Sequence, residues 1–380
     1  MATATTSDVL RDLAGFRAAK GCAISLFLDL DPQRTINPGD VQTRVHSLLD
    51  VGGRNAGFES DRLTRDQKNA LREDVERIKQ FFVDDFDRSG MRAFALFAAG
   101  LDNLWRPLPL ACPVTDDVRL GRELYLTPLL TTIGRGEGAL VAVVSRERGE
   151  VYRLRGGRLR EIANETETVP NQHDQGGWSQ ARYQRHVDEA VARHMRHVAE
   201  AIDKRVRRDS STQLVILANE EIRSEVASVL SAESQSAICG WATVEAHAQG
   251  QELLDAVLPI LEQKQAEHEQ AALERWREEI GRAGRAASGW EATLEAASDG
   301  RVELLLVQER ANREAYACPD CGRGSAADGS CPLDGTKLER RPDGLDLAIH
   351  RTLEHGGSVR LTHTSDGLAP DGGIGALLRY

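Results

Sequence analysis

Ala139-Leu140-Val141-Ala142-Val143-Val144, then Val151-Tyr152-Arg153-Leu154, then Arg158-Leu159-Arg160-Glu161-Ile162: these three runs decide how the middle of the chain folds. The first run is apolar at every position, which suits a strand buried in a sheet. Arg148-Gly149-Glu150 and Gly156-Gly157 supply two tight reversals. The three runs therefore predict an antiparallel meander.

Downstream, the pattern changes period. A polar loop is followed by a helix from Ala181, a strand at Leu214–Leu217, a helix at Glu220–Leu230 and a strand at Ala237–Val244. The order βββαβαβ predicts an α/β domain over residues 129–264, with a mixed sheet and helices on both faces, of ribonuclease-H-like type. Gly134-Arg135-Gly136-Glu137-Gly138 is not a dinucleotide fingerprint, because it precedes a strand instead of joining a strand to a helix.

The loop reads Val169-Pro170-Asn171-Gln172-His173-Asp174-Gln175-Gly176-Gly177-Trp178-Ser179-Gln180. Paired glycines let a backbone approach another molecule closely, having no Cβ to collide. Tyr183, Val187, Ala190, Val191, Val198, Ala201, Ile202 and Val206 then mark one face of a helix. The other face carries Arg182, Arg185, Arg193, Arg196, Lys204 and Arg205, with His186, His194 and His197 among them. From Arg182 to Arg208 there are eight Lys/Arg against four Asp/Glu, whereas the whole chain carries a formal charge of −11. A local basic face of this kind suits backbone phosphates. A solvated helix beside an ordinary surface loop is the plainer reading of the same pattern. His173, Asp174 and Ser179 hold the residue types of a catalytic triad, but they crowd one short loop, whereas triad groups are held by separate elements of a rigid scaffold.

On either side lie two further α/β segments. Residues 1–128 predict a strand at Ala23–Leu30, a long helix at Asp61–Phe86 and strands at Arg92–Ala98 and Asn103–Leu110; the polar stretch Arg34–Arg54 reads as a surface connection. Residues 265–380 predict a helix near Trp290–Ala297, a strand at Val302–Val307, a helix at Leu345–Glu354 and strands at Ser358–Thr362 and Ile374–Arg379: a small α/β/α sandwich. A charged helix over Gln249–Arg285 joins it to the middle domain.

Inserted at residues 316–342 are two matching pentads, Cys318-Pro319-Asp320-Cys321-Gly322 and Cys331-Pro332-Leu333-Asp334-Gly335. Two C-x-x-C knuckles facing each other make the tetrahedral site that zinc prefers. Here Asp334 stands where the fourth cysteine belongs. Cys318, Cys321, Cys331 and Asp334 could hold one structural zinc; the alternative is a knuckle kept by turn geometry alone. The other three cysteines, Cys22, Cys112 and Cys239, are scattered, as buried small hydrophobes are in a reducing compartment.

With 380 residues, 41% hydrophobic and 28% charged, the composition is that of a soluble multidomain protein. Met1–Asp8 has no secretory pattern, and no apolar run nears the roughly 20 residues of a membrane span. The expectation is a cytoplasmic protein without a membrane partner.

Two stretches resemble a known family. Gly176-Gly177-Trp178-Ser179-Gln180-Ala181-Arg182-Tyr183, with Arg193-His194-Met195-Arg196-His197-Val198-Ala199-Glu200, resembles one region of the archaeo-eukaryotic class I peptide chain release factors. That region comprises their Gly-Gly-Gln loop, Ser-Ala-Leu-Arg-Phe helix start and Arg-His-rich turn. The family includes the rescue factor Pelota and bacterial homologues. Gly372-Gly373-Ile374-Gly375-Ala376-Leu377-Leu378-Arg379-Tyr380 is similar to the Gly-Gly-Ile-Gly-Gly-Ile-Leu-Arg-Tyr of the family's third domain. The cysteine insertion sits where archaeal members carry a minidomain.

The resemblance implies three domains, the third of ribosomal-protein L7Ae-like type with a zinc-knuckle-like insert. It implies a monomer that occupies the ribosomal A site and meets ribosomal RNA, peptidyl-tRNA and, through its third domain, a translational GTPase. In that family the glutamine helps to place the water that attacks the peptidyl-tRNA ester, and a backbone N–H can stabilise the oxyanion. Carried over, Gly176, Gly177 and Gln180 form the catalytic loop, and Trp178, Arg182, Arg185, Arg193 and Arg196 contact RNA. Two departures matter. Trp178, not glutamine, follows the glycines, and the first segment lacks the Asn-Ile-Lys-Ser and Tyr-x-Cys-x-x-x-Phe motifs that read stop codons. Three functions follow: peptidyl-tRNA ester hydrolysis, non-catalytic A-site binding in rescue or hibernation, and nuclease action on tRNA ends.

Overall fold

The computed structural model describes residues 6–30, 38–55, 63–87, 91–110, 112–132, 136, 138–166, 180–208, 212–363 and 367–380. The chain divides into two compact units, Met1–Gly134 with Glu267–Tyr380, and Arg135–Ala266. Among the described residues no helix is long and apolar enough to cross a membrane.

The first unit opens with α1 (Thr6–Ala14), β1 (Ala23–Asp29), α2 (Pro38–Asn55), α3 (Arg65–Asp84), β2 (Ala93–Ala99), β3 (Leu104–Leu110) and β4 (Asp117–Gly121). Its antiparallel sheet has the order β3-β2-β1-β4. β1 and β2 are buried at every position, Ser25 and Asp29 of β1 included. Thr64 caps α3 in a reciprocal capping box with Gln67. The stretch expected as a surface connection is instead α2, which seats Val41, Val45 and Leu49 in the core. Those three recur every four residues, one helical stripe, but Gly39, Gly52 and Gly53 masked the signal.

The middle unit contains β5 (Leu140–Val144), β6 (Gly149–Arg155), β7 (Arg158–Asn164), α4 (Gln180–Val206), β8 (Leu214–Leu217), α5 (Glu220–Val229), the short α6 (Ala232–Ala237) and β9 (Ile238–Ala242). The sheet order is β7-β6-β5-β8-β9. β7, β6 and β5 pair antiparallel, and β5, β8 and β9 pair parallel. This is the mixed sheet expected from βββαβαβ. Val191, Met195, Val198, Ile202 and Val206 of α4 cover one face with Ile222 and Val226 of α5. Each such side chain contributes about 1.5–3 kcal/mol when fully buried. Leu253, Leu254, Val257 and Leu261, from the first half of α7 (Gln251–Gly281), cover the other face.

The second half of α7 belongs to the first unit. β10 (Ala286–Ser288), α8 (Gly289–Ser298), β11 (Val302–Gln308), β12 (Ala315–Ala317), β13 (Gly324–Ser325), β14 (Glu339–Arg341), α9 (Gly344–Glu354), β15 (Ser358–Thr362) and β16 (Ile374–Leu378) follow. One sheet runs β10-β16-β11-β15 and a small one β13-β12-β14. The C-terminal glycine motif has a packing reason: a Cβ on Gly375 would lie 2.8 Å from Nε1 of Trp276. That indole N–H donates to Ala287 O at 2.9 Å, and Trp290 donates to Gly372 O at 3.0 Å.

The two chain segments of this unit share one core, in which Leu10, Leu13, Leu124 and Leu129 meet Leu294, Ile349 and Leu353. α9 also inserts polar groups there. Asp346 accepts from the N–H groups of Leu126 (2.7 Å) and Thr127 (3.0 Å). The ring nitrogens of His350 lie 3.2 Å from Ala14 O and 2.7 Å from Leu124 O. Burial pushes the Asp346 carboxyl above its ordinary value, against the pull of His350.

Candidate functional site

The glycine loop leaves the end of β7 and returns as α4. Gly176, Gly177 and Trp178 lie outside the described residues. Gln180, read from the sequence as the end of the loop, is the first residue of α4. Arg182 and Arg185 follow it in the opening turns of the same helix. Further along, Arg193 and Arg196 are exposed, whereas His194 turns into the core and is fully buried. The basic helix thus keeps Arg193 and Arg196 outward but not His194.

The stem of the loop is strapped to the sheet. Glu165 N donates to Gly149 O at 2.6 Å, and Gly149 N donates to Thr166 Oγ1 at 3.2 Å. Beneath it, His194 Nε2 sits 3.4 Å from Arg148 O, and among the described residues His194 Nδ1 has no partner. Arg148 donates to Glu150 Oε2 at 2.7 Å and to Ala248 O at 2.8 Å, tying the β5–β6 turn to the residues before α7. Tyr152 OH donates to the same Glu150 oxygen at 2.6 Å. Burial works to raise the Glu150 carboxyl, but the Arg148 and Tyr152 hydrogen bonds outweigh it and hold it below its ordinary value. Burial, then the neighbouring Glu150, pushes the Tyr152 phenol up to about 12. This brace was not read from the sequence. Its only local trace is Glu150 and Tyr152 two apart on one strand, and so on one face.

In the insertion the two pentads adopt the same turn. Gly322 N donates to Cys318 O and Gly335 N to Cys331 O, both at 2.9 Å. Cys318 N donates to Arg323 O at 2.9 Å and Cys331 N to Thr336 O at 2.8 Å. Gly322 and Gly335 have φ of +74° and +75°, the left-handed geometry that closes each knuckle and favours glycine. The turns face each other, so that ligand atoms of Cys318, Cys321, Cys331 and Asp334 all lie within 4.8 Å of one another. Cys321 Sγ is 3.5 Å from Cys331 Sγ, and Cys318 Sγ is 3.4 Å from Asp334 Oδ2. Tetrahedral ligation at about 2.3 Å per thiolate would separate the donors by about 3.8 Å. Asp334 is held well below the usual carboxylate range, first by the N–H of Thr336. The four groups could therefore hold a metal ion, and Cys318 and Cys331 pack with Leu338 and Tyr316 in a small apolar cluster.

Residues 125–262 match the model of the family described as bacterial archaeo-eukaryotic release factor family 10. The chain is similar to peptide chain release factor subunit 1 of Methanobrevibacter smithii, 25% identical over 286 residues that cover 68% of this chain and 69% of that protein. It is similarly related to peptide chain release factor subunit 1 of Archaeoglobus fulgidus, 26% identical over 68% of this chain and 69% of that protein. Among solved structures, a model of ribosome-bound archaeal Pelota and ABCE1 aligns over 100% of this chain and 95% of that one, at 11% identity and a TM-score of 0.41. The matched residues enclose the glycine loop between β7 and α4, so the middle of this chain resembles the archaeo-eukaryotic release factors, a likeness that the archaeal relatives extend over 68% of the chain.

Proposed function

We propose that this protein is a ribosome-binding translation factor that fills the A site through its middle domain without cleaving the peptidyl-tRNA ester, in rescue or hibernation of ribosomes. The observation that carries this reading is the position of Gln180. In the family, the catalytic glutamine follows the paired glycines directly. Here that place belongs to Trp178, and Gln180 is already the first residue of α4, its backbone committed to helical geometry. An aromatic ring after Gly176 and Gly177 suits stacking on an unpaired base. Arg182, Arg185, Arg193 and Arg196 along α4 suit phosphates. In this reading the middle domain is ribonuclease-H-like and the last one L7Ae-like. The chain divides after residues 128 and 264, and the protein works in the cytoplasm as a monomer with a translational GTPase.

A second reading is favoured by the archaeal relatives, which are named for peptide chain release: Gln180 positions the hydrolytic water. The test is release of labelled peptide from stalled ribosomes, with and without a stop codon, beside co-sedimentation. The expected result is co-sedimentation with no release above background. Release that falls about 100-fold in Gln180→Ala, the scale of losing one transition-state contact, would establish the second reading instead.

For the insertion we propose one structural zinc on Cys318, Cys321, Cys331 and Asp334. The metal would supply the cross-link that so small a core lacks. Metal analysis of gently purified protein should find about one zinc per chain, and finding none removes the proposal.

A further inference from the structure

We infer that the tip of the β6–β7 hairpin is a second phosphate-binding surface of the middle domain, built to grip an RNA backbone. The inference rests on the ribosome-binding reading above. The register pairs Arg153 with Arg160 and Arg155 with Arg158. Side chains alternate along each strand. Val151 packs toward α4, while Leu154 and Leu159 pack toward α7. Arg153, Arg155, Arg158 and Arg160 therefore share the α4 face. Glu150 and Glu161 fall on the opposite face, so these two strands put no carboxylate beside the four guanidinium groups. Arg158 and Arg160 are exposed, and among the described residues no carboxylate pairs with Arg155, Arg158 or Arg160.

Two like-charged pairs set directly across a ladder destabilise it. Protection of an edge strand by charge would account for Arg158 and Arg160 on β7. It does not account for Arg155, because β6 is an interior strand; Arg153, buried on the same strand, has a partner of its own. The positive charge of Arg155, Arg158 and Arg160 is left for a partner outside the hairpin. The turn is shaped to reach one: Gly156 and Gly157 have φ of +56° and +75°, the two-residue primed turn that keeps a hairpin narrow. The C-terminal end of α4 extends the same basic surface. Arg205 donates to Ile162 O of β7 at 2.7 Å, and Lys204 and Arg208 are exposed on either side of it in the sequence.

An RNA backbone is the occupant that charge complementarity favours, since guanidinium groups bind phosphate in a planar fork. β7 spans seven residues from the tip at Arg158 to the loop stem at Asn164, about 20 Å of extended chain. The tip therefore lies at the other end of β7 from the loop stem at Asn164, and RNA gripped there orients the domain.

The test uses the full chain with Arg158→Gln and Arg160→Gln together. Binding to vacant ribosomes and to a short labelled RNA duplex is measured across a salt series, with thermal unfolding alongside. Removing two phosphate contacts should lower the slope of log affinity against log salt by roughly 1.5 to 2. Affinity at low salt should fall by about tenfold, and the unfolding temperature should stay level or rise as repulsion is relieved. A wild-type slope and affinity in the variant overturn the inference. So does a lower unfolding temperature, which would make the arginines structural. An altered hydrodynamic radius with unchanged RNA affinity also overturns it, because the arginines would then face protein carboxylates. A wild-type chain that binds ribosomes no better than the variant removes the hairpin site alone, whereas one that binds neither ribosomes nor RNA removes the ribosome-binding reading as well.

Discussion

Among the described residues two histidines are fully buried, His350 on α9 and His194 on α4, and they are buried on different terms. Both nitrogens of His350 face carbonyl oxygens, and Asp346 Oδ2 stands 3.5 Å from Nε2. His194 has one long contact, 3.4 Å to Arg148 O, an oxygen that already accepts from Ser145 N at 2.8 Å. His350 joins residues that are 226 and 336 positions away along the chain. His194 lies beneath the stem of the glycine loop. Where distant segments must be held together, both ring nitrogens of His350 are partnered. Where the functional loop is mounted, a polar atom is left without a described partner.

The largest effect is expected at the partnered site. His350→Leu keeps much of the volume but removes the ring nitrogens that face Ala14 O and Leu124 O inside a core. A buried carbonyl left without a donor costs about 1–3 kcal/mol, so the variant should lose roughly 2–5 kcal/mol in urea unfolding of the full chain. A loss below about 1 kcal/mol would break the contrast, because it would mean that the two carbonyls find other donors and that His350 is no clamp.

The contrast also marks where the sequence stops being legible. The βββαβαβ order could be read because each element announces itself within its own window: an apolar run for β5, a helical stripe for α4. The paired knuckles could be read because Cys318–Gly322 and Cys331–Gly335 close within five-residue turns that glycine makes possible. α2 was lost because three glycines and many polar residues diluted Val41, Val45 and Leu49. His194 was placed on the basic face because its neighbours Arg193, Arg196 and His197 lie there. Only the position of β6 beneath α4 shows that the stripe is wide enough to include it. The Arg148 brace to Ala248 and the His350 clamp join residues roughly 100 or more apart, and periodicity carries no information at that range. Of the candidate site, the gathering of Cys318, Cys321, Cys331 and Asp334 and the outward Arg193 and Arg196 were readable, whereas the helical position of Gln180 depended on where α4 begins, and helix ends are the least determined part of such a reading.

The smallest effect is expected at the unpartnered site, and it bears most directly on function. His194→Leu removes a buried acceptor that has no described partner and gives up only a long contact to Arg148 O, which keeps its bond from Ser145. Replacing a poorly partnered polar group with an apolar one of similar volume can be nearly neutral, so unfolding free energy should change by less than about 1 kcal/mol, in either direction. Ribosome co-sedimentation should be unchanged. A loss above about 2 kcal/mol would require a bond at Nδ1 after all, from outside the described residues, and the loop between β7 and α4 is the candidate because its stem at Glu165 and Thr166 is strapped to Gly149 beside His194. His194 would then be an anchor of the glycine loop itself. Loss of ribosome binding together with that loss of stability would separate this role from ordinary core packing, because a residue that only packs beneath the stem would lower stability while leaving the folded protein's ribosome binding intact.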